Sequence, residues 1–303
     1  MMSPKFKTSI DDFVNRSALA EFILLAKQED MGPDNRDVTS EAMIPDTQKA
    51  VARLCAREAG VLAGAAILPM IAELYADVAG PIHVRDVWCD GHEISPGDAV
   101  AEIAGPLRGV LAFERVALNF MTHLSGIATL TSRYVQHTAG TDADTFDTRK
   151  TIPGLRMLQK YAVRCGGGQT HRIGLYDAML IKDNHIAGVP LDDLFDTIQA
   201  AAKSAREENP RLVVELEVDT LEQLERVIDS GIDIVLLDNM SVQDLEQAVA
   251  LRDQRSPGVE LEASGGVTLE TVREIAETGA DRISVGALTH SAPALDLGLD
   301  ITL

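Results

Sequence analysis

An α/β fold, built as a (β/α) barrel after a smaller N-terminal α+β domain, is what this sequence of 303 residues predicts. Three observations carry that prediction. Six short β-type runs recur from about residue 145, each ending in polar residues. Helical segments of ten to fifteen residues separate the later runs, the pattern of βα units and a parallel sheet. No Gly-x-Gly-x-x-Gly loop opens the series, which points to a barrel rather than a dinucleotide fold.

The first 110 or so residues read differently. Helical stretches are expected near 17–29 and 64–78. "KAVARLCAREAGVLAG" and "PIHVRDVWCDGHEISPGDAVAEIAGP" are strand-like pieces broken by Gly and Pro, as in a small α+β domain. A long helix is expected from near Leu111, because Phe113, Val116, Ala117, Phe120, Met121 and Leu124 form one apolar stripe. Arg115 lies about 200° round from Phe113, on the opposite face. The domain boundary is placed at 117/118, with residues 118–290 forming the barrel and 291–303 packing back on the domain of residues 1–117.

The barrel runs are "TFDTRK", "AMLIKDNH", "LVVELEVD", "IDIVLLDN", "ELEASGG" and "RISVGAL". Thr220 opens "TLEQLERVIDSG" with a capping box, and Gly231 follows its end. Ser241 opens "SVQDLEQAVALRDQ", and "LETVREIAETG" closes on Gly279.

Composition bounds the function. The net charge of −20 leaves no general phosphate-neutralising surface, which argues against nucleic acid as a partner. No apolar run reaches the ~18 residues of a membrane span. "MMSPKFKTSIDDF" lacks the apolar core of a secretory signal, and Cys55, Cys89 and Cys165 fit neither a disulfide framework nor a zinc site. A reducing cytoplasm is therefore expected. Within this acidic chain, residues 145–185 hold seven Lys/Arg against three Asp, a basic island suited to a polyanionic small molecule.

Reactive residues of such barrels gather at the C-terminal strand ends. Those ends supply Arg149 and Lys150, then Lys182, Asp183 and His185, then Glu215 and Glu217, then Asp238 and Asn239. Alternation places Glu215 and Glu217 on one face, where they need cations, ligand hydroxyls or Mg²⁺; Arg149, Lys182 and Arg172 are the cations at hand. "ASGG" (Ser264, Gly265, Gly266) and "VGA" (Val285, Gly286, Ala287) are small-residue turns, each expected just ahead of a helix, where backbone N–H groups bind phosphate.

"CGGGQTHRIG" follows a helix, "GLRMLQKYAVRC", whose C′ residue is expected at Gly166. Three glycines exceed what a helix stop requires, and no P-loop Lys-Ser/Thr follows. The run reads as a flexible hinge delivering His171 and Arg172 to the barrel mouth. Arg156, Lys160 and Arg164, four apart, read as a basic stripe that most simply is a solvated face.

"DTRKTIPGLRMLQKYAVRCGGGQTHRIGLYDAMLIKDNHI", with "ERVALNFMTHLSGIATLTSRY" before it and "ELEVDTLEQL", "IVLLDNM", "EASGGVTLETV" and "ISVGALTHSAPALDLGL" after it, resembles the quinolinate phosphoribosyltransferase family. The resemblance covers nearly the whole chain. It implies an open (β/α) barrel with a smaller N-terminal α+β sandwich domain, in a homodimer with shared active sites and possible higher oligomers. It implies transfer of phosphoribosyl from phosphoribosyl pyrophosphate to quinolinate with decarboxylation, giving nicotinate mononucleotide, pyrophosphate and CO₂ for NAD biosynthesis, with Mg²⁺. By the same resemblance Arg149, His171, Arg172 and Lys182 surround the quinolinate carboxylates, Thr148 and Lys150 join them, and Arg115 enters from the other subunit. Glu217 and Asp238 hold ribose hydroxyls and Mg²⁺, and Lys150, Lys182, Glu217 and Asp238 are the catalytic set. Ser264 to Gly266 and Val285 to Ala287 are the 5′-phosphate loops. Thr170 departs from the family's usual asparagine, and "GPDNRD" is longer than the usual loop.

Two other readings stand beside it. One is a related phosphoribosyltransferase of the molybdenum-transport-associated type. The other is a Schiff-base lyase with Lys182 as nucleophile, for which the cations and phosphate-type turns are more than the chemistry needs.

Overall fold

Residues 49–56, KAVARLCA, alternate exposed and buried side chains over their first six positions, as a strand with one wet face must. They form β1 (Lys49–Ala56) in a computed structural model that describes residues 9–302. The segments that follow form β2 (Gly60–Val61), β3 (His83–Arg85), β4 (Glu93–Ile94) and β5 (Ala99–Pro106). β1 is central in a four-stranded sheet, pairing with β5 on one side.

Contacts divide the chain into two units. One takes the residues up to Ser132, Pro153–Gly167 and those from Ser291 onward; the other takes Arg133–Ile152 and Gly168–His290. The division falls at Ser132/Arg133, within the long helix Leu107–Thr138, rather than at the expected 117/118. A 32-residue helix carries no internal break at which a boundary could be read from sequence.

In the first unit all six residues of the apolar stripe from Phe113 to Leu124 are buried, whereas Arg115 is exposed. The helices Arg16–Met31 and Leu68–Leu74 occupy the two expected helical stretches. The loop "GPDNRD" ends on Asp37, whose carboxylate accepts from the N–H groups of Thr39 and Ser40 and caps the next helix. The helix Arg156–Cys165 corrects two readings. Lys160 is fully buried, so the basic residues do not form a solvated face. Gly166 has φ −78° and the left-handed residue is Gly167, at φ +89°. Gly166 is glycine for another reason: a Cβ there would lie 2.3 Å from the Ala128 carbonyl oxygen.

The second unit contains the six polar-ended runs. They form β6 (Asp144–Phe146), β7 (Met179–Ile181), β8 (Val214–Val218), β9 (Ile234–Asp238), β10 (Glu260–Ser264) and β11 (Arg282–Ser284). All pair in parallel, in the order β6-β11-β10-β9-β8-β7. The last strand of the chain, β12 (Leu297–Thr302), returns to the first unit and pairs antiparallel with β1.

The parallel sheet has two unlike faces. Leu216, Val235, Leu237, Leu261 and Ala263 cluster with Ile198, Leu224, Val227, Leu245 and Ala248 of the connecting helices. The alternate positions carry Glu215, Glu217, Leu236 and Glu262. Apolar packing thus fixes the register, and the same register fixes where the charged side chains go. The capping box at Thr220 and the Ser241 cap are both present.

Candidate active site

Every strand of the parallel sheet, or the segment just after it, contributes to one cavity of about 270 Å³. Thr148, Arg149 and Lys150 follow β6, Leu180 and Lys182 come from β7 and its end, and Glu217 comes from β8. Leu236 and Asp238 of β9, Glu262 and Ser264 of β10, and Ser284 of β11 complete it with His171 and Arg172.

One wall is cationic. Arg149, Lys150, Arg172 and Lys182 all border the cavity. The Arg149 Nε is buried and, among the described residues, has no hydrogen-bond partner. Burial, and then the charge of Arg149, push the Arg172 guanidinium below its usual pKa. Two guanidiniums that repel each other in a part-buried space form a receptor for an anion. Arg172 also borders a larger groove of about 530 Å³, lined mostly by apolar residues such as Leu175, Met179 and Ile198. Arg172 is the one Lys or Arg in that lining, whereas four border the smaller cavity.

The opposite wall is acidic. Glu217 accepts from the Lys182 ammonium, and Asp238 sits on the adjoining strand. Burial, then the charge of Glu217, raise the Asp238 pKa, while a hydrogen bond from Asn239 at 2.7 Å opposes the rise. With a single ammonium between them, two carboxylates leave room for another cation. Their hard oxygens suit Mg²⁺.

The turns are built from residues that only small side chains permit. Gly265 has φ +95° and Gly266 φ +59°, and a Cβ on Gly265 would lie 2.2 Å from Asn239 Oδ1. Gly286 leaves space for Lys150, whose Cδ would be 3.0 Å from a Cβ there. The helix Ala287–His290 follows Gly286 at once, as expected. The helix after Gly266 starts only at Val272, so that turn is not directly ahead of a helix.

The segment after the glycines is pinned rather than hinge-like. Gln169 N–H donates to the Thr145 carbonyl at 2.7 Å, and Asp147 N–H donates to the Gln169 carbonyl at 3.1 Å. His171 N–H then donates to Asp147 Oδ1 at 2.8 Å. Asp177 accepts from the N–H groups of Ile173 and Gly174, closing the following loop.

Beside the cavity lies a buried charged layer. His171 Nε2 is 3.1 Å from Glu215 Oε2 and 3.2 Å from Glu262 Oε1, and all three residues are buried. Arg282 Nε donates to Glu262 Oε2 at 2.7 Å, and its guanidinium stacks 3.9 Å from the Phe146 ring centroid. Burial pushes the His171 imidazole down, while hydrogen bonds and charge from Glu215 and Glu262 pull it up. The Arg172 N–H, 2.8 Å from His171 Nδ1, works against that rise because it needs Nδ1 without a proton.

The cavity thus gathers nine of the residues singled out in the sequence: Thr148, Arg149, Lys150, His171, Arg172, Lys182, Glu217, Asp238 and Ser264. Gly265, Gly266, Val285, Gly286 and Ala287 belong to the adjoining turns and do not line it. Arg115 belongs to the first unit. Glu215 pairs with His171 rather than with the arginines or Lys182. Glu262 and Arg282 were not anticipated. The signal was present, because the alternation that turns Ser264 inward in "ELEAS" turns Glu262 inward too.

Residues 37–125 match the family described as "Quinolinate phosphoribosyl transferase, N-terminal domain", and residues 127–300 match its C-terminal domain. The chain is 43% identical over 265 residues to "Nicotinate-nucleotide pyrophosphorylase [carboxylating]" of Mycobacterium leprae, covering 88% of this chain and 91% of that one. It is 40% identical to the probable enzyme of the same name in Bacillus subtilis, covering 91% of this chain and 90% of the relative. Among solved structures, the nicotinate-nucleotide pyrophosphorylase from Francisella tularensis aligns with a TM-score of 0.85 at 35% identity, over 95% of this chain and 98% of that one.

Proposed function

Because this chain belongs to the quinolinate phosphoribosyltransferase family, we propose that the cavity at the parallel strand ends is where it joins quinolinate to phosphoribosyl pyrophosphate. The protein is a pentosyltransferase of NAD biosynthesis, making nicotinate mononucleotide, pyrophosphate and CO₂. The observation that carries the site assignment is the Arg149–Arg172 pair with its unpartnered Arg149 Nε. A pyridine dicarboxylate supplies the two adjacent anions that pair needs.

The chemistry follows from the two walls. Arg149, Arg172 and Lys182 hold the carboxylates, which orients the ring nitrogen toward the ribose. The nitrogen lone pair bonds to ribose C1 as the bond from C1 to the pyrophosphate oxygen breaks. Positive charge developing on the ribose is stabilised by Glu217 and Asp238, as carboxylates do in glycoside hydrolysis. Lys150, packed against Gly286, faces the departing phosphates. The bond from C2 to its carboxyl then breaks, CO₂ leaves, the electrons stay at C2 beside the pyridinium nitrogen, and a proton from solvent takes their place. Glu217 and Asp238 are the residues that would hold Mg²⁺, which supplies charge neutralisation for the pyrophosphate. The turns Ser264–Gly266 and Val285–Ala287 take the 5′-phosphate.

The six-stranded sheet is rolled into an open barrel in this reading. The edge strand β7 and the segment just after the other edge strand, β6, feed side chains into the same cavity, and Glu215 and Glu262 meet at His171 from strands separated by β9. A flat sheet would keep strands two positions apart about 10 Å from each other. The working protein is a homodimer in which Arg115 of the partner subunit completes the site, in keeping with its exposed position on the long helix. It works in the cytoplasm, where its three free thiols stay reduced. Among the described residues no helix is long and apolar enough to cross a membrane.

The test is release of labelled CO₂ from quinolinate carboxyl-labelled at C2, with nicotinate mononucleotide formed in equal amount and only when phosphoribosyl pyrophosphate is present. Nicotinate is expected to be turned over at least ~100-fold less efficiently, since it leaves part of the cationic pocket unpaired. Equal use of the two acids would remove the assignment.

A further inference from the structure

We infer that His171 is a positioning residue rather than a substrate ligand: Glu215 and Glu262 hold it as the Nε2–H tautomer, Arg282 braces Glu262, and its bare Nδ1 fixes the backbone carrying Arg172. Substrate contact would need a ring nitrogen free to reach the cavity. The Nε2 lies between two buried carboxylates, at 3.1 and 3.2 Å. The Nδ1 lies 2.8 Å from the Arg172 backbone nitrogen, in line to accept its hydrogen. The side chain is only 8% exposed.

The tautomer follows from that second contact. An imidazolium would set an Nδ1–H against the Arg172 N–H, two donors head to head across 2.8 Å. The backbone donor cannot turn away, because Asp147 Oδ1 holds the preceding N–H, that of His171, at 2.8 Å. Among the described residues, the charged groups recorded near His171 include Asp147 after β6, on its backbone N–H, Glu215 of β8, Glu262 of β10 with Arg282 of β11 behind it, and Arg172.

The support reaches the substrate wall through Arg172. Its backbone is tied to His171, and its guanidinium donates to the Ala178 carbonyl at 3.3 Å, so both ends of the residue are fixed. Its remaining donors border the anion cavity. Glu262 is fully buried, held by Arg282 and 3.2 Å from His171 Nε2, so Arg282, Glu262, His171 and Arg172 form one row from β11 to the cavity.

This inference rests on quinolinate being the substrate, and its first readout needs no substrate. Protein labelled with ¹⁵N-histidine, with the His171 signals assigned by difference from His171→Asn, should show an acceptor-type Nδ1 and a protonated Nε2 between about pH 6 and 8. A doubly protonated ring, or a proton on Nδ1, overturns it. The second readout is kinetic. His171→Leu should raise the quinolinate KM ~10-fold or more while phosphoribosyl pyrophosphate KM moves by less than ~3-fold. His171→Asn, whose Oδ1 can take the place of Nδ1, should recover most of that loss. Equal loss in folded Asn and Leu variants overturns the inference, as does an unchanged quinolinate KM in Glu262→Gln. Failure of the wild type to use quinolinate at all sinks the substrate reading instead, and the ring spectrum still decides the tautomer.

Discussion

Gly265 and Asn239 occupy interlocked positions: the Asn239 N–H donates to the Ser264 carbonyl at 2.8 Å, and a Cβ on Gly265 would fall 2.2 Å from Asn239 Oδ1. Both residues have positive φ, +95° and +54°. Asn239 in turn donates to Asp238 Oδ2 at 2.7 Å. The turn proposed for phosphate and the carboxylate proposed for Mg²⁺ are therefore one mechanical unit.

Gly265→Ala should consequently do two things. It should lower stability by about 1–3 kcal/mol, because a side chain is forced into a left-handed backbone against a fixed neighbour. It should also raise the KM for phosphoribosyl pyrophosphate more than that for quinolinate, since Asp238 shifts with Asn239. Urea denaturation gives the first quantity and paired substrate titrations the second. A larger effect on quinolinate would separate this turn from the phosphate.

Asp238 carries a pH signature. Burial and the Glu217 charge hold its folded pKa above the ordinary 3.8. A carboxyl whose pKa is raised on folding opposes the folded state once ionised in both states, and that opposition fades as the pH falls through the folded pKa and is gone below the unfolded one. Asp238→Asn removes that opposition, so the ligand-free variant should melt above the wild type at pH 8. The advantage should shrink as the pH falls through the raised pKa and vanish below the ordinary 3.8, where Asp238 is protonated in both states. The same variant should lose Mg²⁺-dependent turnover, a gain in stability at the expense of function. Calorimetry at several pH values, with a turnover assay, checks both; a lower Tm at pH 8 would contradict the account.

Arg115 is exposed on the face of its helix opposite the buried Phe113 stripe. If the sites are shared between subunits, Arg115→Ala and Lys182→Ala homodimers should each be inactive, while mixed dimers regain one intact site in two. Random mixing makes about half of all dimers mixed, so roughly a quarter of wild-type activity is expected. No recovery in verified mixed dimers would rule out a shared site.

How much of this was legible beforehand can be judged residue by residue. The strand ends were, because period-2 apolar faces and polar termini are local signals, and local signals placed Arg149, Lys182, Glu217 and Asp238 around one cavity. The partner choices were not. Glu215 and Glu217 look identical in "ELEV", yet one pairs with His171 and the other with Lys182, as depth along the strand decides. Lys160 keeps the helical spacing of a surface stripe but is fully buried, because the packing of its helix, not the pattern of charges, sets what is covered. The boundary at 117/118 followed a change in composition, whereas contacts follow a helix that continues to Thr138.

The glycine run allows the sharpest separation of structural from functional cost. A Cβ on Gly166 would lie 2.3 Å from the Ala128 carbonyl oxygen and 2.7 Å from the Thr131 Cβ, so Gly166→Ala overpacks a backbone contact and should cost about 1–3 kcal/mol. Gly167, at φ +89°, should cost about 1 kcal/mol on mutation to alanine. Neither touches the cavity, and Gln169 is pinned to Thr145 and Asp147 downstream, so both folded variants should keep quinolinate affinity within ~3-fold of wild type. Arg172→Lys is the reverse case. The charge stays but the planar fork is lost, and with it the simultaneous reach to Ala178 and to a carboxylate. Stability should change little, and quinolinate KM should rise ~10-fold or more. Should Gly167→Ala weaken quinolinate binding as much as Arg172→Lys in folded protein, the strain at Gly167 would be transmitted through the pinned segment, and the glycines would belong to the site after all.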